Sequence, residues 1–157
     1  EIDKMLREIV PTPKTTVAKQ LHDIALMMKR RSFVILISDL LADVEDIMAG
    51  LDHLRFDGHN VVVLHTLDPY ELEFPFKGTW SFEGLEREEP LTTQPERIRE
   101  DYVANLDKYL TALRSGCIGA NIDYKTVDTS RPLDGVLNEF FAERATTLNG
   151  GAVGARL

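Results

Sequence analysis

Basic residues are the scarcer sign in this 157-residue chain: 18 Lys and Arg face 26 Asp and Glu, giving a formal net charge of −8 and a pI near 5.0. That balance excludes a nucleic-acid binder of the backbone-neutralising kind, because phosphate contacts need clustered Lys and Arg. It suits a cation or a basic protein surface instead. Cysteine is nearly absent. The one thiol, Cys117, cannot form an internal disulfide, which fits a reducing compartment and a cytoplasmic location. It lies on the apolar side of an expected helix with no activating partner nearby in sequence, so it reads as a buried core thiol. No apolar run approaches the roughly 20 residues of a membrane helix, and no charged-then-apolar leader precedes a cleavage site. Hydrolase chemistry also lacks its parts: there is no Gly-x-Ser-x-Gly elbow, and none of His22, His53, His59 and His65 has a motif partner.

What is present is an α/β rhythm in a chain long enough for one core. Ile2, Met5, Leu6, Ile9 and Val10 recur at helical spacing until Pro11 and Pro13 end the pattern. Because the first residues are already helical, the chain is expected to be cut from a longer protein. Thr15 or Thr16 can cap a second helix carrying Val17, Leu21, Ile24, Ala25 and Met28, which runs into Lys29-Arg30-Arg31. Then comes the run Phe33-Val34-Ile35-Leu36-Ile37-Ser38-Asp39, which reads as a strand buried on both faces. Asp43 can cap a helix with Val44, Ile47, Met48, Leu51 and Leu54, and Asn60–Leu67 repeats the buried-strand pattern up to Asp68-Pro69. Two such strands around one helix imply a βαβ crossover with parallel, adjacent strands.

Residues 70–92 break the rhythm. Alternation in Glu71–Phe74 and Thr79–Phe82 suggests short strands or a hairpin over one end of the sheet, with Phe76 and Trp80 as candidate contacts of a binding lid. Thr93-Gln94-Pro95-Glu96 has capping-box spacing and opens a long helix with Ile98, Tyr102, Leu106, Tyr109, Leu110 and Leu113 on its buried stripe. Gly119 or Asn121 ends it. Ile122–Val127 is a third, more polar strand closing on Asp128, after which Ser130 can cap a last helix with Val136, Leu137, Phe140 and Phe141. Gly150 to Leu157 reads as a flexible tail.

Three strands therefore end in acids: Asp39, Asp68 and Asp128. In open parallel sheets ligands collect at the carboxyl ends of strands, so the three are expected either to converge on a hard cation or to cap turns and helices. His65, a polar residue in an apolar strand, is expected to be a hydrogen-bonded core histidine.

Thr15-Thr16-Val17-Ala18-Lys19-Gln20-Leu21, then a helix, a basic cluster and Val34-Ile35-Leu36-Ile37-Ser38-Asp39-Leu40-Leu41, resembles the second half of a von Willebrand factor A-like domain. More narrowly it is similar to a bacterial family of domains of unknown function, number 58 in that series, encoded beside MoxR-type AAA+ ATPases. Val63–Pro69, Glu71–Phe76 and Asp128–Leu133 carry the same resemblance. It implies a three-layer, Rossmann-like parallel sheet flanked by helices with its N-terminal strands missing, residues 1–149 being the C-terminal part of one domain. It further implies a non-catalytic adaptor working with a MoxR-type ATPase. In A-type domains Mg²⁺ is held by an Asp-x-Ser-x-Ser loop, a threonine and an aspartate. By that resemblance Thr15 and Asp39 would be the last two, and only an upstream loop would complete the site, so no cofactor is expected in this chain itself. Asp68, Phe76, Trp80 and Asp128 are the expected interaction surface. Without the missing strands the edge at 33–38 is open, which predicts a homodimer through it. The rival reading is a receiver-like or other doubly wound enzyme domain using Asp39 with Mg²⁺, for which Thr66 and Lys125 superficially follow in order.

Overall fold

A computed structural model describes residues 17–83 and 90–151, with side chains to Ala145. The helix expected at residues 2–10, Thr15 with its cap, and residues 152–157 of the expected tail lie outside the described residues.

Helix α1 (Val17–Met27) leads into β1 (Phe33–Ser38), α2 (Val44–Phe56) and β2 (Asn60–Leu67). A short α3 (Pro69–Glu73) and two three-residue strands, β3 (Trp80–Phe82) and β4 (Leu91–Thr93), precede the 25-residue α4 (Pro95–Gly119), β5 (Asp123–Asp128) and α5 (Leu133–Gly151). The main sheet has the order β1-β2-β5, and both pairings are parallel. β3 and β4 form a separate antiparallel pair.

Alternation along β2 sorts the core into two layers. Val61 and Val63 pack with Leu21 and Ala25 of α1, Ile47, Leu51 and Leu54 of α2, and Leu113 and Cys117 of α4. Val62 and Leu64, on the opposite face, pack with Val127 of β5 and with Val136 and Phe140 of α5. Three layers result, with α1, α2 and α4 on one face and α5 on the other. Both crossovers advance the same way along the sheet and lie on one face, as the single handedness of βαβ units requires.

Several local expectations are corrected. β1 is not buried on both faces: Val34 and Leu36 pack inward, whereas Phe33, Ile35 and Ile37 are 48–66% exposed, because the apolar contacts of α5 fall on β2 and β5 and its Arg144 guanidinium lies over the Phe33 ring, 4.8 Å from the centroid. Glu71–Phe74 is a helix end rather than a strand. Asp68 and Glu71 form a complete capping box around Pro69, and Phe74 terminates the turn in the left-handed region. Thr93 does not cap α4; it is paired in β4, the N-cap is Gln94 without a side-chain bond, and Glu96 accepts from Gly78 N–H at 2.6 Å. Asp43 sits at the N-cap of α2, also without a side-chain bond. α4 ends at Gly119, with Asn121 in the left-handed conformation as the helix stop. Cys117 is fully buried, and burial pushes its thiol up to about 11.

Candidate functional site at the carboxyl edge of the sheet

The register places Ser38 beside His65 and Leu67 beside Asp128, so the carboxyl ends of all three strands share one rim. The three aspartates reach it but do not unite. Asp68 Oδ1 accepts from Tyr70 N–H at 2.8 Å, the capping alternative. Asp128 Oδ1 accepts from the hydroxyl of Ser130 at 2.7 Å and its N–H at 2.8 Å, bonds that hold this carboxyl below the usual carboxylate range. Asp39 is different: its Oδ1 has only long contacts, 3.4 Å from Ser38 Oγ and 3.5 Å from Leu41 N. Among the described residues no group of three or more His, Cys, Asp and Glu side chains could hold a metal ion. Of the two donors that the resemblance implied, Asp39 stands on this rim, and Thr15 lies outside the described residues.

What distinguishes Asp39 is the stiffness of its loop. Leu40 has φ 51 and is fully buried, an uncommon backbone state for a large side chain, costing roughly 1–2 kcal/mol. The surroundings hold it in place. His65 Nε2 lies 2.9 Å from the Asp39 carbonyl oxygen. Leu40 N–H donates to Ser38 Oγ at 3.1 Å, and Ala42 N–H donates to the Leu40 carbonyl at 2.8 Å. The Tyr109 hydroxyl, from α4, sits between the carbonyls of Leu40 and Ala42. Apart from the Ala42 N–H, which belongs to the loop itself, these partners come from the sheet or from α4, so the core constrains the position of Asp39.

His65 is the centre of this arrangement and is wholly buried, as the sequence suggested for a core histidine. A carbonyl can only accept, so Nε2 carries the proton, and Nδ1 accepts from the Tyr124 hydroxyl at 2.7 Å. Burial pushes the imidazole below its ordinary pKa, outweighing the opposing bond to Asp39 and the charges of Asp39 and Glu71.

Above His65 lies a crevice of about 450 Å³ whose lining includes Asp39, Leu41, Leu67, Glu71, Tyr102 and Tyr109. Two carboxylates thus border an otherwise apolar hollow. An aromatic cluster packs behind Tyr102 of this lining. Phe74 stacks on Tyr102 at 4.3 Å, and Phe76, Trp80 and Phe82 pack edge-to-face or stacked around it at 4.9–6.3 Å. Phe76 is therefore half-buried inside the aromatic cluster, while Trp80 stays 44% exposed with its indole N–H on the Lys77 carbonyl. A larger open groove of about 820 Å³ is lined by Leu72, Glu73, Arg99 and Asp107 among others. It mixes charges of both signs on α3 and α4 and holds none of the residues singled out from sequence.

Glu71, Tyr109 and Tyr124 belong to the site and were not singled out as site residues from sequence. Glu71 was readable from the Asp-Pro-x-Glu capping pattern; the tyrosines join through contacts 59 and 69 residues apart, for which local sequence holds no signal.

A family model described as "Protein of unknown function DUF58" matches residues 1–110. No curated protein and no solved structure matches the chain.

Proposed function

The chain belongs to the DUF58 family of proteins of unknown function, and on that footing we propose that it is a non-catalytic adaptor whose crevice at the carboxyl edge of the sheet docks a basic, partly apolar segment of a partner protein. The observation carrying this reading is the core-clamped Asp39, bordering an apolar crevice together with Glu71. Two carboxylates on an apolar hollow complement a Lys or Arg whose stem lies on Leu41 and Leu67 while its charge meets the acids. A MoxR-type AAA+ ATPase is the partner that the sequence resemblance suggests, and no cofactor is assigned to the chain. The open edge of β1 makes a second copy of this chain a further partner.

The test is co-purification of the complete protein with a MoxR-type AAA+ ATPase. Binding that falls at least tenfold in Asp39→Ala and in Glu71→Gln supports the docking mode; undiminished binding by both variants overturns it. The receiver-like alternative is weakened by Lys125, whose Nζ pairs with Glu143 of α5 at 2.7 Å, on the face opposite His65. Phosphorylation of Asp39 by a small phosphodonor with Mg²⁺ would favour that alternative over an adaptor.

A further inference from the structure

A second cluster lies away from the carboxyl rim, between α1 and α2. Gly50 allows these two helices to approach closely: a Cβ there would sit 2.8 Å from Leu21 Cβ and 3.3 Å from the Ala18 carbonyl oxygen. The neighbouring positions, one residue beyond Leu21 and about one turn beyond Gly50, are His22 and His53. Their Nδ1 atoms are 2.9 Å apart, with ring centroids at 4.5 Å and planes inclined by 36°. Head-on nitrogens at that separation would keep the centroids farther apart, since each ring's radius adds to the distance. The rings are therefore tilted off the line between the two nitrogens. At 2.9 Å one Nδ1–H can donate to the other Nδ1, and the same separation can be spanned by two zinc–imidazole bonds of roughly 2.0–2.1 Å meeting at about a right angle.

The other nitrogen of His53 is also provided for. Nε2 lies 3.6 Å from Asp57 Oδ2, one turn further along α2. At that distance the carboxylate is a charge contact rather than a hydrogen bond; it favours a proton on Nε2, which leaves the Nδ1 lone pair for a ligand, and a shift of about 0.7 Å would give the carboxylate–histidine pairing that recurs behind metal-bound histidines. His22 is exposed, so water can fill the remaining coordination positions.

We infer that His22 and His53, with Asp57 as the orienting carboxylate, form a binding site for a borderline divalent transition metal of the Zn²⁺ class. The donor type decides the class: two neutral imidazoles suit Zn²⁺, Ni²⁺ or Cu²⁺ and not the oxygen-seeking Mg²⁺ or Ca²⁺. Among the described residues no third His, Cys, Asp or Glu joins the pair. The site is thus a two-ligand clip across the helices, and bound metal ties α1 to α2. Metal and proton compete for the same lone pairs, so binding is lost on acidification.

Titration of the protein with ZnCl₂ alone, followed calorimetrically, tests this. One Zn²⁺ per chain is expected, with affinity falling at least tenfold in His22→Ala and in His53→Ala and about tenfold in Asp57→Asn. Saturating Zn²⁺ should also raise the melting temperature of the wild type but not of His22→Ala. That variant keeps its fold, because position 22 is an exposed helical site where alanine is favoured. Nitrogen-15 spectra should show Zn²⁺ perturbing Nδ1 of both rings. No binding by the wild type at millimolar Zn²⁺, or equal binding by a variant carrying both His22→Ala and His53→Ala, would overturn the site.

Discussion

Acidification tests the reading of His65 quantitatively. In the unfolded chain this imidazole titrates near its ordinary value of about 6.5; in the folded chain burial holds it lower. Between the two values the unfolded state binds more protons, so folding stability rises with pH in that window. The contribution is fully present above the ordinary value and is lost as pH falls toward the folded one. A single group can supply a slope of at most about 1.4 kcal/mol per pH unit. From pH 7.5 to 5.5 the loss is therefore up to about 1.3 kcal/mol, or roughly 3–5 °C in melting temperature for a domain of this size. The comparison is with His65→Gln, whose amide can still donate to the Asp39 carbonyl and accept from Tyr124 but cannot titrate. Urea unfolding of both proteins at each pH cancels the other histidines in the difference. Parallel stability profiles for the two proteins would refute the argument, as would an NMR titration placing folded His65 at or above its ordinary value.

Two further predictions concern packing and assembly. Gly50→Ala should lose about 1–2 kcal/mol despite a gain of about 1 kcal/mol in helix propensity, because the new Cβ meets Leu21 Cβ and the Ala18 carbonyl. Gly116→Ala should stay within about 1 kcal/mol of wild type, since its obstacle is the flexible Met48 thioether; chemical denaturation separates the two, and equal losses would refute the distinction. Ile37→Lys, at a site 66% exposed on the open β1 edge, should abolish the homodimer proposed for that edge while changing monomer stability by no more than about 0.5 kcal/mol. Sedimentation at several concentrations reads this out, and a wild type that stays monomeric would dismiss the dimer.

The parallel sheet was legible because Phe33–Ser38 and Asn60–Leu67 are apolar runs too short for helices, separated by one helical repeat. The exposure of Phe33, Ile35 and Ile37 was not legible, since a uniformly apolar run does not reveal which face another element covers. Glu71–Phe74 alternates like a strand, yet the capping box of Asp68 and Glu71 closes a helical turn around Pro69; local hydrogen bonding outweighed periodicity. Thr93 shows the reverse case, where strand pairing with Trp80 took the residue from the cap its spacing suggested. The three strand-end aspartates were visible in sequence. Their division into two turn formers and one displayed acid depended on Ser130, Tyr70 and the His65–Asp39 contact.

The same contact joins the fold to the proposed function. Leu40 keeps a disfavoured backbone state at a cost of roughly 1–2 kcal/mol, offset by full burial of a leucine side chain, which contributes about 1.5–3 kcal/mol. The carbonyls on either side are held by His65 and Tyr109. Asp39 is therefore constrained by the core. A proton added to His65 would enter at Nδ1, where the Tyr124 hydroxyl now donates, and would force that hydroxyl to turn away. The Nε2–H bond to the Asp39 carbonyl survives that proton, while the contact of His65 with Tyr124 beneath the crevice is broken. Loss of stability and loss of docking should consequently follow the same acid limb, and His65→Gln should flatten both.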